Sequence, residues 1–442
     1  MTYPETIDYL YRCAPLFQHI GGGAYKEGLS TTLALDEHFG HPHTHFPTIH
    51  VAGTNGKGSV CHTLAAFLQL CGLKVGLYTS PHLVDFRERI RINGRMMPED
   101  YVVRFVEEER AFFEPLHPSF FELTTALAFK YFSEQKVDVA VIEVGLGGRL
   151  DCTNIIRPCL SVITNISLDH TQFLGHTLAA IASEKAGIIK DGVPVVVGES
   201  TTETRPVFEQ AARDHNAPIV CAEDEPEIER SFFPSDATDP DAHLYEMRQY
   251  ETRHFGTLRG ALTGDCQTKN ANTILHAIQQ LRRTDLLPAD CDVERNTARA
   301  FEEVCTLTGL MGRWQVVRTS PLTICDTGHN IGGWQYLGRQ LTAYHRGAVH
   351  VVFGMMKDKD VDAVLALLPP AAHYYFTQAS TPRALPANEL AALAQTHNLT
   401  GQTFPDVPSA VQAAQAAAQE NDMVFIGGSG FVVADFMAHC KS

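Results

Sequence analysis

Lys57 stands in GTNGKGS, residues 53 to 59, where the apolar run TIHVA gives way to CHTLAAFLQL, whose apolar spacing is helical. Glycines at a strand-to-helix turn permit tight curvature and let backbone N–H groups point inward, and the helix N-terminus adds positive potential for phosphate. The loop departs from the usual phosphate-binding spelling, in which Gly-Lys is followed directly by Ser or Thr. Here Gly58 intervenes and Ser59 comes one place late. Gly53, Thr54, Asn55, Gly56, Lys57, Gly58 and Ser59 are candidates to cradle a nucleotide, Lys57 neutralising β and γ phosphates and Ser59 ligating magnesium. The alternative, a glycine turn with a solvated lysine, is weakened because both flanking elements are correct.

Such a site also needs a carboxylate to organise its metal. Glu143 supplies one where the apolar stretch VDVAVIEV meets a glycine turn. Read alone it would cap a strand end in water; paired with the phosphate loop it reads as a magnesium-binding acid. Asp169 and His170 follow the apolar run LSVITNI. Magnesium prefers oxygen donors, so a lone histidine reads first as structural or as a hydrogen-bond partner.

The elements that must position these residues are legible as short apolar runs alternating with amphipathic stretches: TIHVA, KVGLYTS, VDVAVIEV, LSVITNI and PVVVGE, with helices between them. This alternation predicts a parallel sheet covered by helices. From 223 to 262 the pattern becomes polar loop and alternating strands, followed by helical stretches at 268–282 and 293–306 that are expected to finish the first domain. Strand-helix alternation begins again after Gly312. The class is therefore α/β: a P-loop parallel-sheet ATPase domain over 1–306, then a smaller Rossmann-like α/β domain over 312–442.

The chain has 442 residues, 35 basic and 51 acidic, for a formal charge of -16 without long runs. That balance argues against a nucleic-acid groove and an anionic membrane surface, so any anion must be held locally. No apolar run approaches the roughly 18 residues of a membrane span. The eleven cysteines include no C-x-x-C pair, so neither a disulfide framework nor a structural zinc site is expected, and reduced cytoplasm fits.

GTNGKGS, TSPHL at 79–83, ERIRING at 88–94, EVGLGGRLDCTN, DHTQFLG and SEKAGI together resemble the folylpolyglutamate synthase and dihydrofolate synthase family of the Mur ligase superfamily. The similarity continues through AYKEGL (24–29), QTKNA (267–271), GRWQVV (312–317), DTGHN (326–330), GMMKDKD (354–360) and IGGSG (426–430). It implies an ATP-dependent carboxylate-amine ligase that uses magnesium. ATP phosphorylates a substrate carboxylate, and the amine of L-glutamate attacks the acyl phosphate. The implied substrates are dihydropteroate and the glutamate tail of tetrahydrofolates, and the chain is expected to act as a monomer without nucleic acid or membrane.

The resemblance also implies roles. Ser59, Ser80, Glu143 and His170 match magnesium positions, and Asn270, Arg313 and Asp326 match positions that grip ATP from either side of the linker. His329 and Ser429 match residues that help hold glutamate. Phe121 and Thr124 in FELTT, with Asp151 and Cys152, match where dihydropteroate sits. Lys57, His170 and Lys185 form the catalytic set. Lys185 is placed beside the metal, where an ammonium would repel magnesium and a carbamate formed with carbon dioxide would support it.

Without the family match, Asn270 would read as a helix cap, Arg313 as a surface ion pair, His329 as a structural histidine and Ser429 as a loop serine. Lys185 would read as solvated, and Phe121 with Leu123 as helix core. Two spellings depart from the family: DTGHN stands for Asp-Gly-Ala-His-Asn, and MGR for Pro-Gly-Arg. Three functions stay in play: folate ligation, ligation of cell-wall precursors by a Mur-type enzyme, and a nucleotide switch. The Asn-Lys-x-Asp guanine signature is absent, and TSPHL with ERIRING favours folate.

Overall fold

The computed structural model describes residues 1–14, 28–234 and 244–441. Residues 24–27 of AYKEGL lie outside them. The chain divides into two compact units, Met1–Glu229 with Thr252–Leu258 and Lys269–Gly309, and Arg230–Glu251 with Arg259–Thr268 and Leu310–Ser442. Two segments expected to finish the first domain, 230–251 and 259–268, thus belong to the second unit. Their alternating polar pattern carries no mark of which core they join.

Strands β1 (Thr48–Ala52), β2 (Val75–Tyr78), β3 (Ile90–Ile92), β4 (Arg95–Met96), β5 (Val139–Glu143), β6 (Leu160–Ile163), β7 (Val195–Val197) and β8 (Ile219–Cys221) form one sheet, in the order β4-β3-β2-β5-β1-β6-β7-β8. Five-residue β1 and β5 are buried at every position, as strands covered on both faces must be. The pairings β2–β5, β5–β1, β1–β6, β6–β7 and β7–β8 are parallel. The expected parallel sheet also carries an antiparallel edge, β3 and β4. Asn93 and Gly94 join that pair, both with positive φ, in the manner of an Asn-Gly hairpin turn.

Aromatic helix Phe120–Glu134 packs Phe120, Phe129 and Phe132 into one apolar cluster with Tyr78 and Ile142. Ser119 and Glu122 form its capping box, which is why the helix starts where it does. A second cluster joins Ala52, Ile163, Ala182, Ile188 and Phe208. Cys71, at the end of helix Lys57–Leu70, forms a disulfide with Cys291, 220 residues away. Sequence spacing cannot show a contact at that separation; the other nine cysteines are free, so no disulfide framework is present among the described residues.

Strands β9 (Ile228–Phe232), β10 (Arg248–Thr252) and β11 (Thr257–Gly260) form a three-stranded sheet. In the second unit β12 (Gln315–Thr319), β13 (Leu322–Cys325), β14 (Val349–Phe353), β15 (His373–Phe376), β16 (Gly401–Thr403) and β17 (Met423–Gly427) run in the order β12-β13-β17-β14-β15-β16, parallel except for β12. Trp334, fully buried, meets Phe353 and Phe425 edge-on at ring separations of 5.3 and 5.8 Å. Among the described residues no helix is long and apolar enough to cross a membrane.

Candidate active site

β1 lies at the centre of its sheet between β5 and β6, so the turns leaving the carboxyl ends of β1, β2, β5 and β6 share one edge. The turn after β1 is the glycine loop. Gly53 and Gly56 have φ of 147° and 83°; a Cβ on the first would lie 1.8 Å from Thr164 Oγ1, and on the second 2.2 Å from Asn270 Oδ1. Both glycines are therefore demanded by backbone shape and by close neighbours. The same contact sets Asn270, on helix Gln267–Leu281, against the loop.

The loop is stitched to the turn after β6. Thr54 Oγ1 donates to Ser167 O (3.2 Å) and accepts from Ser167 N (3.1 Å). Asn55 N donates to Asn165 Oδ1 (2.9 Å), and Thr164 Oγ1 donates to Asn55 O (2.6 Å). Thr164, Asn165 and Ser167 went unnoticed in the sequence; their only signal is TNIS following an apolar strand.

Lys57 opens helix Lys57–Leu70, with Gly58 and Ser59 buried in its first turn. Its Nζ donates to Gly53 O (2.9 Å) and Thr54 O (3.2 Å). Lys185, near the end of helix Leu178–Ala186, is buried and sends its Nζ to the same Gly53 O at 2.9 Å. Two lysines thus meet at one carbonyl. Burial first, and the Lys57 charge second, lower the Lys185 pKa to about 7, against the pull of Asp169 and Asp151.

The turn after β5 is packed onto the Lys185 helix. A Cβ on Gly148 would lie 2.6 Å from Glu184 O. Arg149 N donates to Glu184 O (2.8 Å), and Asn154 Nδ2 donates to both Arg149 O and Gly187 O (3.0 Å each). Glu143, buried at the end of β5, accepts from Ser80 N at 3.0 Å, which brings two magnesium candidates together. Ser59 sits on the helix that follows the adjacent strand. His170 has φ 50° and precedes helix Thr171–Leu174; its Nε2 is 3.9 Å from Asp169 Oδ2. No cluster of three or more His, Cys, Asp or Glu able to hold a metal occurs among the described residues. A buried carboxylate with neighbouring serines suits magnesium, which keeps several waters and takes its remaining ligands from substrate phosphates.

Beside the turn after β5, Phe121 lies over Gly145, where a Cβ would be 2.3 Å from Phe121 Cζ, and its ring is 5.8 Å from that of Tyr78. Asp151 is buried and accepts from Leu146 N (2.8 Å), Thr153 N (3.0 Å) and Thr153 Oγ1 (2.5 Å). Burial raises its pKa, and those donors oppose the rise. Burial also pushes the Cys152 thiol up, with Asp151 and Glu122 adding to it. Thr124 Oγ1 bonds within its helix to Phe120 O (2.6 Å), and Leu123 is core.

In the second unit Asp326, half-buried just beyond β13, accepts from Trp314 N (2.6 Å) and Gly328 N (2.7 Å). Burial raises its pKa while Arg313 and those N–H groups lower it. Arg313 Nη1 bonds Thr327 Oγ1, and Thr327 Oγ1 donates to Gly312 O (3.1 Å). The threonine that departs from the family spelling thus ties the two altered loops together. His329 Nδ1 lies 3.1 Å from Thr327 O, and Ser429 Oγ accepts from Val432 N (3.2 Å).

A glycine loop with a helix-opening lysine on one α/β unit, and a second α/β unit following it, define a P-loop ligase of the Mur class. Residues 51–272 match the Mur ligase middle domain, and 312–430 the Mur ligase, glutamate ligase domain. The chain is 32% identical over 425 residues to the dihydrofolate synthase/folylpolyglutamate synthase of Bacillus subtilis, covering 94% of this chain and 95% of that one. Its fold matches Escherichia coli FolC in complex with DHPP and ADP, with TM-score 0.81, 31% identity, and coverage of 100% and 98%. It also matches a bifunctional folylpolyglutamate synthase/dihydrofolate synthase with Mn, AMPPNP and L-glutamate bound, with TM-score 0.79, 30% identity, and coverage of 100% and 98%. The chain belongs to the folylpolyglutamate synthase/dihydrofolate synthase family.

Proposed function

We propose that the chain is an ATP-dependent ligase that joins L-glutamate to dihydropteroate and to the glutamate tail of folates through an acyl phosphate. The observation that carries this reading is the meeting of Lys57 and Lys185 at Gly53 O, at the start of a helix, with Glu143 one strand away. A carboxylate is a poor electrophile; phosphorylating it requires charge neutralisation and in-line placement of attacking and leaving oxygens. Lys57 and the loop N–H groups take the transferring phosphate, and Asn270, Arg313 and Asp326 grip the rest of the nucleotide. Ser59, Ser80, Glu143 and His170 would hold magnesium, which would supply neutralisation of phosphate charge.

Phe121, Thr124, Asp151 and Cys152 line the pteroate end, and His329 and Ser429 help hold glutamate. The first domain, 1–306, binds ATP, and the second, 312–442, presents the amino acid. Lys185 acts as a carbamate: its neutral amine adds to carbon dioxide, a new N–C bond forms and one proton leaves. The nine free cysteines fit a reducing cytoplasm, the charge of -16 argues against nucleic acid and an anionic membrane surface, and the chain is proposed to act as a monomer.

The deciding experiment measures glutamate-dependent ADP release with dihydropteroate, tetrahydrofolate or a UDP-muramoyl peptide. Release with the first two alone is expected. Release with the third alone would move the chain to cell-wall ligation, and release with tetrahydrofolate but not dihydropteroate would remove the dihydrofolate synthase half.

A further inference from the structure

Behind the GLGGRLDCTN turn runs a chain of three side chains in which Asp151 is joined to two residues, Thr153 and His50, that the proposed chemistry does not use. His50 is fully buried on β1, and its Nε2 lies 2.9 Å from Thr153 Oγ1. Thr153 Oγ1 in turn bonds Asp151 Oδ1. Asp151 Oδ2 accepts from Leu146 N, and the remaining imidazole nitrogen, His50 Nδ1, is buried without a partner.

Counting protons fixes the state of this chain. Asp151 takes backbone N–H donors on both oxygens, which favours the ionised form against the upward push of burial. The single hydroxyl proton of Thr153 therefore goes to the carboxylate, and Thr153 Oγ1 accepts from the imidazole, so Nε2 carries the proton. The opposite tautomer would bury an N–H at Nδ1 with no acceptor, which costs more than a bare lone pair. Burial and the Lys190 charge lower the His50 pKa to about 3, so the ring is neutral.

The two ends of the chain lie at different parts of the site. His50 sits on the strand that delivers the phosphate loop, in register with Ile142, the residue before Glu143. Asp151 fixes the Gly145–Leu146 turn beneath Phe121. Resting on the folate-ligase reading, we propose that His50 is a positioning residue: its Nε2–H orders Thr153 and Asp151 and thereby sets affinity for the pteridine substrate, not for ATP.

Two measurements test this. Nitrogen NMR of the full-length protein labelled in its imidazoles, with His50 assigned by comparison with His50→Gln, should show a neutral Nε2–H ring that does not titrate between about pH 5 and 8. An Nδ1–H ring, or an imidazolium in that range, overturns the chain without touching the ligase reading. In kinetics, Thr153→Val and His50→Asn should raise KM for dihydropteroate by about 10- to 100-fold and leave KM for ATP unmoved. Thr153→Ser and His50→Gln, which restore the hydroxyl and a donor near the Nε2 position, should recover it. A folded Thr153→Val with unchanged KM for dihydropteroate, or with both KM values raised alike, overturns the proposal. No turnover of dihydropteroate by the unaltered protein would instead overturn the ligase reading, and with it the substrate claim, while the tautomer result would still stand.

Discussion

The turns after β1 and β13 have the same topology, since each leaves the carboxyl end of a strand and opens a helix, yet they handle charge in opposite ways. At the first, Lys57 and Lys185 direct their hydrogen bonds to backbone carbonyls of the glycine loop. At the second, half-buried Asp326 takes two backbone N–H groups, and Asn330 caps helix Ile331–Thr342 through Gly333 N. One turn gathers two lysine side chains at one carbonyl oxygen, and the Lys57 charge, which that oxygen only partly balances, suits the turn to an arriving polyphosphate. The other satisfies its own donors and holds its shape. The difference lies in residue chemistry, not in topology.

The largest effect is expected where the first turn meets the transferring phosphate. Lys57→Ala should cut glutamate-dependent ADP formation about 1000-fold. Its two bonds to loop carbonyls are readily replaced by water, so stability should change by less than about 1 kcal/mol in denaturant unfolding. Near-normal turnover by a folded Lys57→Ala protein would erase the contrast between the turns.

Lys185 sharpens the comparison, because its pKa of about 7 is lowered by burial and then by Lys57. Between about pH 7 and 10 the unfolded chain binds a proton at this lysine that the folded chain does not, so the lysine makes stability rise with pH across that window. Below about pH 7 the folded amine becomes an ammonium, which cannot add carbon dioxide, and activity should fall with it. Lys185→Ala should lose about 100-fold in kcat and regain part of it with added formate or acetate. An unmodified ammonium seen with magnesium bound at neutral pH would remove the carbamate.

Much of the first turn was legible because an apolar strand, glycines and a helix are adjacent in sequence, and Glu143 was legible as the acid that ends a buried run. Its partners were not. Thr164, Asn165 and Ser167 reach the loop from more than 100 residues away, and no local pattern marks them. The same holds for Cys71 with Cys291, and for segments 230–251 and 259–268, whose alternation announces strands but not the unit they join. Sequence pattern reports what a residue's neighbours in the chain require; the stitches between turns are set by packing.

Asp326 tests whether the second turn is frame or ligand. Asp326→Asn keeps the shape but turns one oxygen into a donor facing a backbone N–H. The expected cost is about 1 to 3 kcal/mol in urea unfolding, together with a rise in KM for ATP. An unchanged unfolding midpoint together with a large rise in KM for ATP would make Asp326 a nucleotide-gripping residue first.

Ser429 should give the smallest effect, and it divides two roles for one hydroxyl. Its Oγ accepts from Val432 N at the start of helix Gly430–Lys441, as an N-cap does. Ser429→Ala should therefore destabilise the protein by about 1 kcal/mol, whatever the side chain does for substrate. If the hydroxyl also holds glutamate, KM for glutamate rises while KM for ATP and dihydropteroate stay put, and Ser429→Thr restores both stability and KM. A stability loss with unchanged KM for glutamate leaves Ser429 as a cap alone. The turn after β17 would then join the turn after β13 as framework, and glutamate binding would fall to His329 and its neighbours.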